Sequence, residues 1–366
     1  MEDIDLPPSQ DIPPQPVKGR GAVGNVDHRF SIERRCPEDD GWTPEQPSLP
    51  QTSLQVDMAK SIISHNDSPD LPFEQSLNPY RGCEHGCIYC YARPTHAYLG
   101  LSPGLDFETR IFAKPEAARI LRDELARPGY RCSTIALGSA TDAYQPFERK
   151  ERLSRAVLDV LLEARHPVSV ITKSSLIVRD LDVWSALARQ NLAHVAFSLT
   201  TLNGALARQL EPRASAPQAR LAAMAKLAAA GIPVSVFVAP LIPGINDHEL
   251  EKLLTAGRDH GATSACYTLL RLPYEVAGLF RDWLAWHAPE KAARVMSILY
   301  DLRGQRTNDP NFGSRMTGLG HFAKLIQQRF ALACRRLELA QEVPSLDCSL
   351  FTAPEIPVND RQLSLF

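Results

Sequence analysis

Three cysteines lie within a stretch of eight residues, at Cys83, Cys87 and Cys90. Gly82 and Gly86 allow the backbone to turn tightly around them. Three thiolates at this spacing can bind a single inorganic centre. In a cubane of four irons they would leave one iron without a protein ligand. An open iron is a binding site for a small molecule, so the spacing predicts an iron–sulfur site with its own chemistry.

Structural zinc is the alternative for these thiols. Zinc in structural sites takes four closed ligands, and His85 or His96 would complete a Cys3His set. Zinc motifs usually pair two short ligand clusters, whereas the remaining cysteines of this chain are scattered. The sequence therefore favours an iron–sulfur cluster. A non-enzymatic Cys3His zinc module that binds nucleic acid is the alternative of another class.

Short apolar runs alternate with longer stretches of helical spacing from the cysteines onward. The runs predict strands at 77–82, 134–139, 168–172, 194–200, 233–240 and 264–271. The stretches between them predict helices near 115–127, 148–165, 179–190, 217–230 and 247–260. This order is typical of βαβ units and a parallel sheet, which predicts an α/β fold class. The chemistry then belongs at the carboxyl ends of the strands.

Polar residues follow the second and third predicted strands. A glycine after the second strand permits close backbone approach, and three oxygen-bearing side chains beyond it can accept hydrogen bonds from an ammonium group. A lysine and a serine after the third strand suit a carboxylate or ribose hydroxyls. The alternative is an ordinary loop whose Asp or Thr caps a helix. The residues concerned are Gly138, Ser139, Thr141, Asp142, Lys173 and Ser174.

At these residues the sequence resembles the radical S-adenosylmethionine (SAM) superfamily. The resemblance rests on the C-x3-C-x2-C motif with Tyr89 before the third cysteine, on the loop after the first strand. Residues 87–93 resemble the spore photoproduct lyase-like branch most closely, and the likeness extends over roughly 77–270. It implies a partial (β/α)6 TIM-like barrel and a 4Fe–4S cluster on Cys83, Cys87 and Cys90. It also implies reductive cleavage of S-adenosyl-L-methionine to a 5′-deoxyadenosyl radical, with an electron donor such as flavodoxin or ferredoxin.

The resemblance further implies SAM-binding groups at the later strand ends. The segment after the second strand would bind the amino group of SAM, although Gly-Ser-x-Thr-Asp departs from the family's Gly-Gly-Glu. One of Arg213 and Arg220 would pair with the SAM carboxylate. Ile242 and Gly244 would contact adenine from one side and Tyr89 from the other. The implied cofactor-binding residues are Tyr89, Gly138, Ser139, Thr141, Asp142, Lys173, Ser174, Ser198, Arg213, Arg220, Ile242 and Gly244.

A hydrogen donor or radical relay would complete such a site. The lyase family returns a hydrogen atom through a cysteine beyond the cluster, and Cys132, before the second strand, is the candidate here. Tyr91, next to the cluster, is the second candidate catalytic residue. The alternative for Cys132 is a small buried hydrophobe.

Composition predicts a cytoplasmic protein. The 366 residues carry 40 Lys and Arg against 42 Asp and Glu, for a net charge of −2, and 44% are apolar. No apolar run reaches the roughly 20 residues of a membrane helix. The acidic N-terminus does not resemble a secretory signal, so the thiols are expected to be reduced.

The ends of the chain differ in composition from the middle. Residues 1–55 are rich in Pro, Asp and Gln and are predicted to be mostly disordered. Within them, Gly19-Arg20-Gly21-Ala22 is predicted to be a linker, with packing on the domain or contact with an anion as the alternative. Residues 56–271 form the predicted radical SAM core. Residues 272–336 form a mostly helical basic extension, and 337–366 a flexible tail.

Two features of the C-terminal part bear on the substrate. Between 291 and 336, nine Lys and Arg residues face two Asp, for a net charge of +7; they could contact phosphates or form a solvated helix surface. The terminal residues resemble the pentapeptide by which bacterial repair proteins dock on the DNA sliding clamp. The leading hypothesis is repair or modification of DNA, with RNA or protein as the second substrate class. The residues of the clamp-like segment are Gln362, Leu363, Leu365 and Phe366.

Overall fold

The computed structural model describes residues 15–31, 50–343 and 345–355. Within these residues, ten strands form two sheets. They are β1 (Ser53–Val56), β2 (Ile63–His65), β3 (Gln75–Leu77), β4 (Tyr80–Arg81), β5 (Arg110–Ala113), β6 (Ile135–Leu137), β7 (Val168–Thr172), β8 (Ala193–Ser198), β9 (Val234–Leu241) and β10 (Ser264–Leu269).

Helices connect the strands and extend beyond them. They are α1 (Leu105–Thr109), α2 (Ala117–Leu125), α3 (Glu148–Glu151), α4 (Leu153–Glu163), α5 (Leu181–Ala188), α6 (Gly204–Leu210), α7 (Pro217–Ala229), α8 (Leu250–Asp259), α9 (Val276–His287), α10 (Pro289–Leu302), α11 (Ser314–Thr317) and α12 (Gly320–Leu337). Short 3-10 helices occupy Arg93–Leu99, Ser175–Asp180 and Asp247–Glu249. Among the described residues, no helix has both the length and the apolar character to span a bilayer.

The larger sheet has the strand order β10-β9-β8-β7-β6-β3-β2. Strands β3, β6, β7, β8, β9 and β10 pair in parallel, and β2 runs antiparallel to β3. Val170 lies opposite Leu137 on one side and Val195 on the other, and all three are buried, because helices cover a parallel sheet. The predicted α/β fold class is confirmed, and the sheet is consistent with a partial TIM-like barrel.

The first parallel strand ends earlier than predicted. Strand β3 ends at Leu77, and Tyr80 and Arg81 leave the large sheet to pair with β5 in the smaller one. Pro79 separates the two strands and has no N–H to donate to a ladder. The predicted helix at 148–165 is likewise divided, because Arg152 adopts a left-handed φ of 54° that ends α3.

Residues 15–31, here called the N-terminal arm, pack on the domain, so the linker prediction is wrong for them. Ala22 is fully buried. The backbone N–H of Val26 donates to Ser102 Oγ at 2.8 Å, and Arg29 forms an ion pair with Glu275 at 3.2 Å. The remainder of the region predicted to be disordered, at 1–14 and 32–49, lies outside the described residues; Ser53 lies in β1.

Residues 345–355, predicted as part of a flexible tail, lie along the amino ends of the strands. The Asp347 N–H donates to the Asn191 carbonyl at 3.0 Å, and the Thr352 N–H to the Ala164 carbonyl at 2.9 Å. The ring of Phe351 lies 5.3 Å from that of Tyr130. This part of the tail therefore packs on the barrel, while 356–366, with the clamp-like segment, lies outside the described residues.

Candidate active site

The cysteine loop begins directly after β4. The N–H of Cys83 donates to the Phe107 carbonyl at 3.0 Å, and that of Cys90 to the Cys87 carbonyl at 3.2 Å. Cys83 and Cys87 are buried, and Cys90 is partly exposed. The N–H of Ile88 donates to the Leu210 carbonyl at 3.1 Å, which ties the loop to the end of α6. The structure thus holds the backbone of the three predicted ligands from several sides.

A buried ion pair between Arg93 and Glu108 holds the other side of the loop, and we call it the Arg93–Glu108 pair. The two side chains meet at 2.5 Å, and neither is exposed to solvent. The Arg93 guanidinium donates to the carbonyls of Gly86 at 3.0 Å and Cys87 at 2.8 Å. It also donates to the carbonyls of Pro103 and Gly104. Every guanidinium nitrogen is thereby used.

The N-terminal arm also binds the Arg93–Glu108 pair, through the Glu108 carboxylate. The backbone N–H groups of Gly21 and Ala22 donate to the two oxygens of the Glu108 carboxylate, at 3.0 and 2.9 Å. A Cβ at position 21 would collide with the carbonyl oxygen of Gly86, so only glycine fits there. The arm therefore contacts an anion, as the alternative sequence interpretation allowed, and that anion is a carboxylate of the same chain.

The segment after β6 supports the cysteine loop through hydrogen bonds. Thr141 Oγ1 donates to the Gly82 carbonyl at 2.6 Å. Gln145 Oε1 accepts from the Glu84 N–H at 2.9 Å, and its amide nitrogen donates to Thr141. Gly138 adopts φ +80°, and a Cβ there would lie 2.9 Å from the Ala143 nitrogen. The glycine is required by this turn.

Asp142 joins the second and third strand ends. Its carboxylate accepts from Thr172 Oγ1 and from the N–H groups of Lys173 and Tyr144, each at 2.8 Å, and lies 3.3 Å from His85 Nδ1. Burial would raise the pKa of this carboxyl, but His85 and the backbone donors outweigh burial and lower the pKa below its usual value. Asp142 is thus bonded within the protein, and its predicted contact with SAM stays a prediction.

A second buried ion pair, Glu211 with Arg220, lies at the end of β8. The Glu211 carboxylate also accepts from the hydroxyls of Tyr89 and Thr200. Burial opposes ionisation, but Arg220, Lys173 and these hydroxyls lower the pKa of Glu211 to about 2. Arg220 also donates to the carbonyls of Ser198, at 2.8 Å, and Ser215, at 2.7 Å.

Lys173 differs from these groups because its ammonium makes no hydrogen bond to any described residue, while it lies 5.8 Å from the centre of the Tyr89 ring. Burial lowers the pKa of Lys173, but Cys87 and Glu211 nearby outweigh burial and raise the pKa above its ordinary value. The side chain is therefore a charged donor beside the cysteine loop. The donors of the ammonium therefore remain available for a bound molecule.

The remaining predicted SAM ligands have varied surroundings. Ser139 Oγ accepts from Asn78 at 3.1 Å, Ser174 Oγ caps a 3-10 helix, and Ser198 Oγ donates to the Ala239 carbonyl at 3.0 Å. Ile242 is buried in the same apolar cluster as Cys87 and Tyr89. Gly244 lies at a turn against α10.

Arg213, the other candidate for the SAM carboxylate, pairs with Glu84 at 3.0 Å and remains partly exposed. It lines a cleft of about 530 Å3 together with Lys18 and Arg20 of the N-terminal arm. Arg213 thus lies on the outer side of the cysteine loop. The structure brings Ile242 and Lys173 to the loop and directs Arg213 away from them.

Tyr91 and Arg271 meet across the cysteine loop, and we call them the entrance pair. The Arg271 guanidinium lies 5.0 Å from the centre of the Tyr91 ring, and the Tyr91 hydroxyl donates to the Ser139 carbonyl. Half of the Tyr91 side chain is exposed. Burial lowers the pKa of Arg271, and its guanidinium makes no hydrogen bond within the described part of the chain. Tyr91 directly follows Cys90 in the chain, and its catalytic role stays a prediction.

Cys132, predicted as a hydrogen donor, lies at the opposite end of the sheet. It precedes β6, so it is at the amino end of that strand, whereas the cysteine loop follows the carboxyl end of β3. Burial and the neighbouring thiol of Cys348 raise the pKa of Cys132 to about 12. A residue before a parallel strand cannot reach chemistry at its carboxyl end, so this prediction is wrong.

The two histidines of the zinc alternative each contact a group other than the cysteines, although His96 Nδ1 has no hydrogen-bond partner. His85 pairs with Asp142, and His96 Nε2 contacts the Arg110 carbonyl at 3.0 Å. Within the described residues, no group of three His, Cys, Asp or Glu side chains is arranged for a single metal ion. Burial raises the pKa of Cys87 to about 12, against the opposing effect of Lys173, so a bound metal centre of either kind would be needed to stabilise the thiolate. The donor set of three cysteines without a histidine fits an iron–sulfur cluster.

Comparison with known proteins decides between these alternatives. Residues 77–256 match the family model of the Radical SAM superfamily. The chain belongs to the radical SAM superfamily. Its members use a 4Fe–4S cluster and SAM, and the protein is an enzyme. The alternative of a non-enzymatic zinc module is therefore wrong.

Sequence relatives of this radical SAM protein include proteins of bacteria and of a phage. An uncharacterized protein of Mycobacterium tuberculosis (strain ATCC 25618 / H37Rv) is 41% identical over 230 residues, which are 62% of this chain and 68% of that protein. A protein of Pseudomonas phage M6 described as a radical SAM Nalpha-GlyT isomerase is 25% identical over 189 residues, 50% of this chain and 37% of that protein.

Solved structures of spore photoproduct lyase have a similar fold. One variant of that enzyme matches with a TM-score of 0.55 and 15% identity, over 79% of this chain and 81% of the other. A complex of the lyase with dinucleoside spore photoproduct matches with a TM-score of 0.50 and 17% identity, over 78% and 79%. At this identity the likeness shows the fold alone.

Several functional candidates had no signal in the sequence. The Arg93–Glu108 pair joins residues whose contact depends on tertiary structure. Glu211 and Gln145 stand in segments without a recognisable motif. Arg271 lies two residues beyond the end of β10, the sixth parallel strand. Its position at a strand end was the one signal that could have identified it.

Proposed function

We propose that Cys83, Cys87 and Cys90 hold the 4Fe–4S cluster and that the enzyme repairs or modifies nucleic acid. The observation that carries the first part is the cysteine loop. Its backbone is fixed by the Arg93–Glu108 pair and by Gln145, and it lies beside the charged side chain of Lys173. Ligands held in advance lose less conformational entropy when a cluster binds.

The protein's own groups divide the work around these cofactors. When bound, the cluster and SAM supply an electron and, by reductive cleavage of SAM, a 5′-deoxyadenosyl radical. Lys173 is proposed to bind the carboxylate of SAM, since its ammonium lies beside the cysteine loop and makes no hydrogen bond to the described residues. Tyr89 and Ile242 are proposed to form the apolar wall for adenine. Glu211 and Arg220 orient Tyr89 through the hydrogen bond to its hydroxyl.

Two observations support nucleic acid as the substrate. The similarly folded spore photoproduct lyase is seen with dinucleoside spore photoproduct. Of the nine basic residues at 291–336, Arg303, Arg315 and Arg329 bind groups of this chain, while the other six are exposed and could contact phosphates. The clamp-like C-terminal segment remains a prediction of the sequence, as does an electron donor such as flavodoxin.

The cluster assignment is tested by replacing one proposed ligand. Cys87→Ala in anaerobically reconstituted protein should abolish formation of 5′-deoxyadenosine from SAM under reducing conditions and should lower iron content. Cys266→Ala is the matched control, because Cys266 lies on β10 away from the loop, and it should leave both unchanged. Undiminished cleavage by Cys87→Ala would overturn the assignment.

The substrate assignment is read from the same reaction. With a deuterated oligonucleotide as substrate and unlabelled SAM, transfer of deuterium into the 5′-deoxyadenosine or SAM recovered from the wild-type protein supports the proposal. Cleavage of SAM in which deuterium is transferred only from an added deuterated peptide would contradict nucleic acid as the substrate and favour a protein.

A further inference from the structure

Three aromatic rings surround the guanidinium of Arg29, and we call this group the aromatic surface. The guanidinium carbon lies 4.6 Å from the ring centre of Phe30, 5.1 Å from that of Tyr98 and 4.4 Å from that of Tyr274. The rings come from the N-terminal arm, the 3-10 helix after the cysteine loop, and the segment between β10 and α9. Three distant segments are thus brought to one place.

The rings of the aromatic surface are turned toward solvent. The exposed fractions are 50% for Phe30, 71% for Tyr98 and 65% for Tyr274. Tyr274 also has a φ of 50°, a left-handed conformation that is rare for a bulky residue. Contiguous exposed apolar groups on a folded protein usually mark a binding site, and strained residues concentrate at such sites.

Arg29 is fixed in place and its charge is balanced. Its backbone N–H donates to Glu275 Oε1 at 2.9 Å, and its guanidinium donates to both oxygens of that carboxylate at 3.3 and 3.2 Å. The ion pair therefore holds the rings in one arrangement. Because the charge is neutralised, stacking is the dominant interaction that this surface offers to a ligand.

The aromatic surface is joined to the entrance pair through neighbouring positions in the chain. Tyr274 follows Arg271 by three residues, and Tyr98 is carried by the helix that directly follows the cysteine loop. Near Arg271, Arg315 pairs with Asp70 and lies 4.8 Å from the ring centre of Phe312. The segments that carry Tyr98 and Tyr274 are therefore the same ones that adjoin the cysteine loop and Arg271.

We propose that the aromatic surface binds unpaired bases of a nucleic-acid strand and leads the strand to the active site. The inference rests on the proposed function and specifies a substrate with unpaired bases. Aromatic side chains stack on any base, and neighbouring cations bind the backbone phosphates, which is the combination used by single-strand binding proteins. Arg271, with no hydrogen bond to the described residues, is the cation placed to meet a phosphate or a base between the surface and Tyr91.

Binding of a fluorescein-labelled oligonucleotide of mixed sequence, measured by anisotropy, tests this inference. The reconstituted wild-type protein should bind single-stranded DNA or RNA more tightly than the duplex of the same sequence. The double variant Tyr98→Ala/Tyr274→Ala should weaken single-strand binding by about tenfold or more. Tyr274→Phe, which keeps the ring, should bind like wild type, as should Leu332→Ala, which removes an exposed side chain on α12.

The outcomes separate this inference from the proposed function. Equal affinity of the double variant and wild type, a preference for duplex, or no binding of any oligonucleotide would overturn the inference, the last favouring a protein partner. If the double variant melts early, each single alanine variant provides the same comparison. Wild-type protein that cleaves SAM but binds no single strand overturns the inference alone. Wild-type protein that binds single strands but does not cleave SAM overturns the proposed activity alone.

Discussion

Two arginines contact the cysteine loop from different sides, and their surroundings are opposite. Arg93 is fully buried and directs its guanidinium at a carboxylate and four carbonyls. Arg271 lies over the ring of Tyr91 and makes no hydrogen bond within the described residues. One arginine has all its donors occupied, and the other has them available.

The difference separates structural charge from charge that can serve a ligand. A buried charge must have partners, or folding would be strongly disfavoured. Arg93, Glu211 and Arg220 have such partners inside the protein. Lys173 and Arg271 do not have them, although both are largely withdrawn from solvent. We interpret the latter two as groups whose hydrogen-bonding partners arrive with the cofactor or the substrate.

The largest effect is expected from removing Arg93. In Arg93→Met, Glu108 is left as a buried charge without its cation, and the Gly86 and Cys87 carbonyls lose their donor. Breaking a buried ion pair costs about 3–5 kcal/mol, so the free energy of unfolding measured with urea should fall by about that amount.

Arg271→Met is the matched control for this measurement, because it makes the same substitution on the other side of the loop. It should change the free energy of unfolding by less than about 1 kcal/mol, since no hydrogen bond is lost. If the two variants were equally destabilised, the distinction between occupied and available arginines would not hold.

The sequence predicted the positions of the parallel strands because their signal is local. The run at 168–172 coincides with β7, and Lys173 follows it directly at the carboxyl end. The row of buried apolar residues across the sheet requires such runs. The cysteine loop was recognisable for the same reason, since its ligands stand close together in the chain.

Contacts between distant parts of the chain could not be predicted. The bond from Ala22 to Glu108 joins residues 86 apart, and no local pattern marks such a pair. The composition of the N-terminal arm indicated a linker, yet the Glu108 carboxylate binds its backbone rather than its side chains. Cys132 shows the converse error: a residue type suited to chemistry was assigned a role although its place before β6 put it at the wrong end of the strand.

A smaller effect, dependent on pH, is expected at Glu211. Its pKa of about 2 lies below the ordinary value of 4.5, so the ionised carboxylate stabilises the fold above about pH 4.5, and this contribution is lost as the pH falls toward 2. Glu211→Gln should lower the free energy of unfolding at pH 7 by about 1.5–3 kcal/mol, the contribution of a hydrogen bond to a charged group.

The pH dependence distinguishes this effect from a packing defect. Because the wild-type carboxylate becomes protonated and the variant amide does not, the gap between the two proteins should narrow as the pH is lowered from 4.5. Urea unfolding of cluster-free protein across that range measures the gap. A constant gap would mean that the charge of Glu211 does not stabilise the fold.

The smallest effect on the fold is expected at Lys173, where the consequence should appear in binding. Lys173→Met keeps an apolar stem and removes a charge that makes no hydrogen bond to the described residues, so the free energy of unfolding should change little. The affinity of reconstituted protein for SAM, measured by calorimetry without reductant, should fall about tenfold if the ammonium binds the SAM carboxylate. Lys226→Met, an exposed position on α7, should leave that affinity unchanged. A loss of stability without a loss of affinity would place Lys173 with Arg93 among the structural charges.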